Sequence, residues 1–451
     1  MSEVRENKMG VMDVKPLIVS MSLPMMISML VQALYNVVDS IFVAQVDEAA
    51  LAAVTFAFPL QNLMIAVASG TGVGINALLS RSLGAKKFDR ADSAANAGIL
   101  LAFCSFLVFL VIGLFGTEPF IGSQTGDTVI RQYGQDYLSI VCIFSLGLFL
   151  QVTGERLLQS TGKTIFSMVS QLTGAVVNII MDPLLIFGLF GFPKLGVAGA
   201  AIATVAGQSV AGILALILNI RFNKEIHLSF RRIIKPEGST VKEIYQVGVP
   251  SILMMSIGSI MTYLMNQILA GFSTTATAVF GVYFRLQSFF FMPIFGLNSG
   301  LIPVLAYNYG AAKRERIEEA LRFSLVLAVS IMTVGTLVFE TVPELLLSMF
   351  SASDEMMEIG VPALRIIAIH FPVAGCAIIL GSVFQAFSKS SYSLIVSLGR
   401  QIVVLIPAAW LLSLTGNVNN VWWSFLIAEG VSLVLTLVMF SRIKRFILDK
   451  L

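Results

Sequence analysis

Apolar runs long enough to cross a bilayer follow one another through almost the whole chain, and this constrains the fold more than any motif does. A spanning helix takes about 20 predominantly apolar residues. On that measure the sequence reads as twelve helices, at 16–44, 50–80, 93–117, 135–160, 165–190, 195–221, 245–271, 276–308, 321–346, 358–386, 391–415 and 420–441. Of the 451 residues, 57% are apolar and only 12% charged, and the mean hydropathy is +0.88. A water-soluble globule of this composition would lack the polar groups to cover its surface. The chain is therefore read as an all-α polytopic membrane protein with twelve transmembrane helices and no room for a sizeable extramembrane domain. Cys104, Cys142 and Cys376 each stand inside an apolar run and are expected to be buried, unbridged small hydrophobes. No small-residue cleavage site follows the first run, so span 1 is expected to stay in place.

The net charge of +3 conceals an alternation. Basic residues crowd the N-terminal tail (Arg5, Lys8, Lys15), the loop after span 2 (Arg81, Lys86, Lys87, Arg90) and the central loop (Arg221, Lys224, Arg231, Arg232, Lys235, Lys242). The loop after span 8 (Lys313, Arg314, Arg316, Arg322) and the C-terminal tail (Arg442, Lys444, Arg445, Lys450) are basic as well. The intervening loops hold Arg131 and Lys194 and otherwise acids: Asp47, Glu48, Glu340, Glu344, Asp354, Glu355 and Glu358. The positive-inside rule then predicts a multi-pass protein of the cell's plasma (inner) membrane with both termini cytoplasmic. That requires an even number of spans.

The central basic stretch joins two hydrophobic halves, and the halves repeat. A single shift of 226 pairs Pro24 with Pro250, Gln61 with Gln287, Gly70 with Gly296, Gly74 with Gly300, Gly84-Ala85 with Gly310-Ala311, Gln159 with Gln385 and Lys163 with Lys389. Near the end the shift slips, and Arg221 matches Arg442. Six spans per half is even, so the halves enter the membrane from the same side and are parallel repeats. The expected organisation is a six-helix bundle over 1–221, a basic linker over 222–244 and a second six-helix bundle over 245–451. Two such bundles about a pseudo-twofold axis leave a cleft between them, which is the geometry of alternating access.

Function is sought among polar groups inside the apolar runs, because a carboxylate at mid-bilayer costs roughly 2.5–3.5 kcal/mol on insertion scales. In span 1, Tyr35 and Asn36 precede Asp39 by four and three residues, so all three are expected on one face. In span 5, Asn178 and Asp182 are again four apart, followed by Pro183, which removes a backbone donor. The repeat places Met265, Val404 and Ala408 opposite Asp39, Asn178 and Asp182, so these acids belong to one bundle only. Two carboxylates and an amide confined to one bundle point to a site that exchanges a proton, or binds Na⁺ through oxygen ligands, near physiological pH; the bland alternative is hydrogen bonds that lock the bundle. Glu155 in span 4 lies beside Arg156 without an expected pairing, and Arg285 and Arg400 read more readily as structural. Tyr137, Tyr263, Phe289, Phe290, Phe291 and Met292 are candidates to line a greasy cleft or to face lipid. Gly70-Thr-Gly-Val-Gly74 sits inside a span, where small residues pack helices; no phosphate loop, metal cluster or nucleophile with a base is evident, and neither His227 nor His370 has a suggestive setting. No enzyme is expected.

These residues resemble the multidrug and toxic compound extrusion (MATE) family. The resemblance runs through Ser22 to Met25, Tyr35-Asn36-Val37-Val38-Asp39, Ser80-Arg81-Ser82-Leu83-Gly84-Ala85, Asn178-Ile-Ile-Met-Asp182-Pro183, the run from Gly196 to Thr204, and Tyr307-Asn308-Tyr309-Gly310-Ala311, and so covers nearly the whole chain. Span 7 lacks the acid typical of the NorM-type branch. The acids of spans 1 and 5 are similar to the DinF-type branch, and Glu155 to its MepA-like subgroup. Gln159 stands where an Arg is common. The resemblance implies a V-shaped pair of bundles and an antiporter that exports lipophilic, often cationic, compounds against H⁺ or Na⁺, acting as a monomer with no prosthetic cofactor and no nucleic-acid partner. It further implies a coupling site of Asp39, Asn178 and Asp182, with Tyr35, Tyr137 and Thr204 nearby; these acids would also be the ligands of Na⁺ if sodium is the coupled ion. Substrate contacts are expected from Glu155, which would attract cations, and from Tyr137, Phe289 and Met292. A flippase for lipid-linked oligosaccharides, another small-molecule exporter, and a channel or structural membrane protein are the competing classes.

Overall fold

The computed structural model describes residues 7–46, 48–350 and 352–451. Arg5, Asp47 and the side chain of Glu48 lie outside the described residues. Ten helices are long and apolar enough to cross a membrane, and the number is twelve when each of two bent helix pairs is taken as one span. The spans are Val14–Ala44, Glu48–Gly84, Phe88–Phe115, the pair Thr128–Ile143 and Leu146–Ser160, Thr164–Phe187 and Val197–Phe222, then Gly238–Ala270, Thr274–Gly310, Arg314–Thr341, the pair Asp354–Ala368 and Phe371–Ala386, the interrupted helix Ser390–Ser413, and Trp423–Phe446.

Three details differ from the expected boundaries. Spans 4 and 10 are each broken, by 48° at Phe144-Ser145 and by 45° at Ile369-His370. Pro372 opens the second half of span 10, where its missing N–H is tolerated. Spans 3 and 9 stop at Phe115 and Thr341, and short helices Thr117–Gly122 and Pro343–Ser348 follow. Span 11 contains a π-helical stretch, Gly399–Leu405, just before Pro407.

The repeat is written into the backbone as well as the sequence. Lys86 and Ala312, 226 apart, both take a left-handed φ (57° and 54°), as do Gly162 and Ser388 (86° and 59°). Each turn is followed by a lysine that opens the next helix (Lys87 and Lys313, Lys163 and Lys389). The two breaks, at 144–145 and 369–370, and the two short helices, which begin at 117 and 343, fall at corresponding places.

The two bundles meet through spans 1 and 8 and spans 2 and 7, and the repeat's shared glycines form that seam. A Cβ on Gly70 would meet Ile252, and one on Gly296 would meet Met26; a Cβ on Gly84 would stand 1.9 Å from the Tyr307 carbonyl, and one on Gly310 2.0 Å from the Arg81 carbonyl. Both partner pairs are themselves 226 apart, so the seam obeys the pseudo-twofold axis. Only glycine permits backbone contact this close.

The seam lies toward the end that carries both termini. There Arg81 and Arg90 of the first half both reach Glu243 of the second, Arg81 at 3.0 Å, and Arg81 also donates to Ser388 Oγ at 3.0 Å. The Lys8–Val11 turn is strapped across: Asn7 donates to the Thr161 carbonyl at 2.9 Å, while Lys313 and Arg316 donate to the Gly10 and Met12 carbonyls at 2.7 and 2.6 Å. Burial and the neighbouring Lys163 push the Lys8 ammonium below the usual lysine range. Toward the opposite end the apolar core divides. One cluster, from Val43 through Phe109 and Tyr137 to Ala201, is built from the first half alone. The molecule is thus two six-helix bundles joined at the terminus-bearing end.

Cys142 is buried and all three cysteines are free, but Cys104 is exposed on span 3. In a membrane protein an apolar run also faces lipid, so hydrophobic surroundings in sequence do not imply burial.

Candidate functional site

Span 1 presents two distinct faces. Ser22, Met26, Met29, Ala33, Asn36 and Ser40 recur at steps of three and four and so share one stripe. Its start is closed under Gly300 and Gly296 of span 8, and its end, at Asn36 and Ser40, is exposed. The matching stripe of span 8 is Gly300, Gly296, Met292, Phe289 and Arg285, again closed at the glycines and exposed at Phe289 and Arg285. These two exposed stripes lie where the repeat predicts the walls of the cleft. Tyr35 and Asp39 are turned off this stripe toward the interior of the first bundle, so the structure separates Asn36 from them. The Asn36 backbone carbonyl accepts Ser40 Oγ at 2.8 Å.

Inside the first bundle five spans converge. Tyr35 and Asp39 come from span 1, Gln61 from span 2, Tyr137 from the first half of span 4, Asn178 and Asp182 from span 5 and Thr204 from span 6. The carboxyls of Asp39 and Asp182 come within hydrogen-bonding reach of one another, and Tyr35 lies in the field of both. Asn178 donates to Thr204 Oγ1 at 3.4 Å, and the Tyr137 hydroxyl donates to Gln61 Oε1 at 3.4 Å. Gly174 and Gly207 let spans 5 and 6 approach closely enough to seat Asn178: a Cβ on Gly207 would lie 3.1 Å from Asn178 Cβ.

The group is rich in acceptors and poor in donors. Asp39 Oδ1, both carboxylate oxygens of Asp182 and Asn178 Oδ1 are buried with no hydrogen-bond partner among the described residues. Buried acceptors left in this state are costly. A proton shared between the carboxyls, or a hard cation held by oxygen, would relieve them.

The remaining candidates are placed elsewhere. Glu155 is buried between spans 4 and 5, where Gln151 Nε2 and Ser170 Oγ donate to its Oε1 at 3.0 and 3.4 Å. Arg156 turns away to Gln159, donating to its Oε1 at 2.9 Å, through space left by Gly72. Phe289 stands at the margin of the cleft stripe and also lines a groove of about 300 Å³ with Leu286, Val338 and Met349. Phe290 and Phe291 are not on the cleft wall; they pack on Phe339 and Phe371 within the second bundle.

Two polar groups escaped the reading from sequence. Gln61, noticed only as an anchor of the repeat, supplies the acceptor for Tyr137. Glu429 in span 12 is an acid inside an apolar run, the same signal that marks Asp39. Its carboxylate accepts Arg400 Nη1 at 3.0 Å, and its side chain is only 3% exposed.

Comparison with known proteins agrees with this architecture. The family model MatE matches residues 24–184 and 250–411, one stretch in each half of the repeat. A multidrug export protein MepA of Staphylococcus haemolyticus is 28% identical, over 95% of this chain and 94% of its own length. An FAD transporter of Shewanella oneidensis is 27% identical over 89% of both chains. Among solved structures, an outward-facing multidrug resistance MATE transporter superposes with a TM-score of 0.92 at 25% identity, covering 99% of each chain. A MATE crystal structure in complex with MaL6 also gives 0.92, at 24% identity over 99% of this chain and 100% of that one. With the family model matched over both halves of the repeat, the chain belongs to the MatE family of multidrug and toxic compound extrusion transporters.

Proposed function

We propose that the protein is a multidrug efflux antiporter of the plasma membrane, exporting lipophilic, often cationic, compounds in exchange for H⁺ or Na⁺. The observation that carries this reading is the set of four buried, partnerless oxygens on Asp39, Asp182 and Asn178, one bundle's depth away from the open cleft. The basic, terminus-bearing end is the cytoplasmic face, and the bundles 1–221 and 245–451 are the two bodies that rock about the linker 222–244. The conformation described, sealed at that end, then opens outward. Asp39 takes up the ion from outside; span 1 and span 5 close around the neutralised charge and reshape the span 1 stripe, and the drug leaves. The ion-loaded carrier turns inward and releases the ion there. The relatives named for multidrug export support the substrate class, and a single chain completes the site.

Ethidium efflux from reconstituted vesicles, driven separately by a pH or a Na⁺ gradient, tests this. Driven efflux under one gradient is expected, and it is lost in Asp39→Asn while ethidium binding is retained. An Asp39→Asn protein that still responds to the gradient overturns the coupling assignment. A second reading, export of an anionic small molecule, is favoured by Arg285, which stands exposed on the cleft stripe, and by the relative named for FAD transport. The same vesicles loaded with FAD distinguish the two.

A further inference from the structure

We propose that residues 7–12 form a gating strap that belongs mechanically to the second bundle: when the terminus-bearing end parts, the strap stays on that bundle, releases the first at Asn7 and turns about Met12-Asp13. The inference rests on the alternating opening argued above. It gives this segment a motion that its place in the chain, directly before span 1 of the first bundle, does not suggest.

The grip of the second half is made of charge-assisted bonds. The strap is a single helical turn, Lys8–Val11, and the last carbonyls of a helix have no partner within it. Side chains of the second half supply the donors. Arg316 donates to the Met9 and Met12 carbonyls at 3.2 and 2.6 Å, Lys313 to that of Gly10 at 2.7 Å, and Asn308 to that of Met9 at 3.0 Å. A helix C-terminus attracts cations, and hydrogen bonds from charged donors are roughly twice as strong as neutral ones. Met9 is fully buried, and a Cβ on Gly10 would stand 2.8 Å from the Tyr307 ring.

The hold of the first half is weaker and partly repulsive. Asn7 donates to the Thr161 carbonyl at 2.9 Å and to Glu225 Oε1 at 3.4 Å, and Lys8 reaches Ser20 Oγ at 3.5 Å. Glu225 is already paired with Lys163. Burial, and then the charge of Lys163, hold the Lys8 ammonium below the usual lysine range, so like charges oppose each other across this contact. Met12 and Asp13 are extended, with ψ of 143° and 139°, between the strap and the first turn of span 1. Element-terminal residues of this kind absorb the torsion of a hinge.

The second half treats its own lead-in the same way. Before span 7, the backbone N–H groups of His227 and Ser229 donate to Asp92 and Asn96 of span 3 at 2.7 and 2.8 Å, and Asn96 donates back to the His227 carbonyl at 2.9 Å. The segment leading into each bundle is thus gripped by the opposite one, as a pseudo-twofold arrangement requires.

A contact kept in both states does not bias the equilibrium between them, whereas one lost on parting favours the joined state. Asn7→Ala is therefore expected to raise the parted-to-joined ratio about fivefold, as for the loss of one ordinary hydrogen bond, and Arg316→Ala to leave it within about twofold. Double electron–electron resonance on the full-length protein reads that ratio. Spin labels are placed in pairs at Val11 on the strap, Phe88 at the start of span 3 and Glu319 in span 9, all exposed, after removal of Cys104, Cys142 and Cys376. Glu243→Ala takes away the acid that Arg81 and Arg90 share across the bundles and serves to populate the parted state. There Phe88–Glu319 and Val11–Phe88 are expected to gain a longer distance while Val11–Glu319 keeps its distribution. If Val11 keeps its distance to Phe88 instead, and Arg316→Ala rather than Asn7→Ala raises the ratio, the strap travels with the first bundle and the inference is overturned. Broadening of both Val11 pairs, a strap that merely frays, overturns it as well. A Phe88–Glu319 distance that stays single both in Glu243→Ala and during ethidium transport removes the alternating opening itself, and the inference falls with it.

Discussion

At the scale of single residues, the chemistry turns on counting donors against acceptors. Asp39 and Asp182 face each other with no donor to share, so an amide at either position keeps the shape of the side chain and removes the charge that an ion would neutralise. Asp182→Asn is therefore expected to uncouple transport from the gradient without emptying the drug site. Ethidium binding should remain within about threefold of wild type, and gradient-driven efflux should fall at least about tenfold, a loss of about 1.4 kcal/mol or more in the driven step. Binding titration and vesicle efflux on the same preparation check this; equal losses in both would make Asp182 merely structural. These acids were legible in the sequence because a charge in an apolar run is conspicuous. The Arg400–Glu429 pair was harder to see, since its members lie on different spans and no spacing of three or four residues links them. Gln61 was invisible as a site residue, because a neutral amide is common in such runs and only the position of Tyr137 gives it a role.

At the scale of elements, the seam depends on backbone contact between spans that carry glycine where they cross. The repeat anchors Gly84 and Gly310 were legible as a pattern, and the structure supplies their reason: each occupies the point where one bundle's helix end touches a carbonyl of the other. A methyl group there has to push the helices apart, and overpacking of this kind costs about 1–3 kcal/mol. Gly84→Ala and Gly310→Ala are each expected to lower the thermal midpoint in detergent and to raise the labelling of a cysteine placed at Ser388, next to Arg81, by a membrane-impermeant reagent from the terminus-bearing side. Unchanged labelling in both would mean that the seam does not set the closure of that end. The broken spans 4 and 10 were read as continuous because periodicity records which residues are apolar, not whether a helix bends between them. The chain marks the second break with Pro372, and the first, at Phe144-Ser145, carries no proline at all.

At the scale of the whole molecule, one feature ties the fold to transport: the two apolar cores are continuous at one end and separate at the other. Were the molecule a static scaffold, fixing the joined end would change nothing. In a carrier that opens alternately to each side, the joined end must part once in every cycle. Ser93 of span 3 and Thr240 at the start of span 7 offer the place to test this, since their hydroxyls lie 3.0 Å apart across the two halves, within reach of a disulfide. Ser93→Cys/Thr240→Cys, in a background from which Cys104, Cys142 and Cys376 have been removed, is expected to cross-link under oxidation and to lose gradient-driven efflux to below about a tenth. Reduction should restore it, and neither single cysteine should respond. Drug binding from the open side should survive the cross-link, because the cleft stripes at Asn36 and Arg285 stay exposed when the seam is closed. If the cross-linked protein transported at the rate of the reduced one, the halves would not separate at this seam, and the rocking of two bundles would have to be replaced by motion within one.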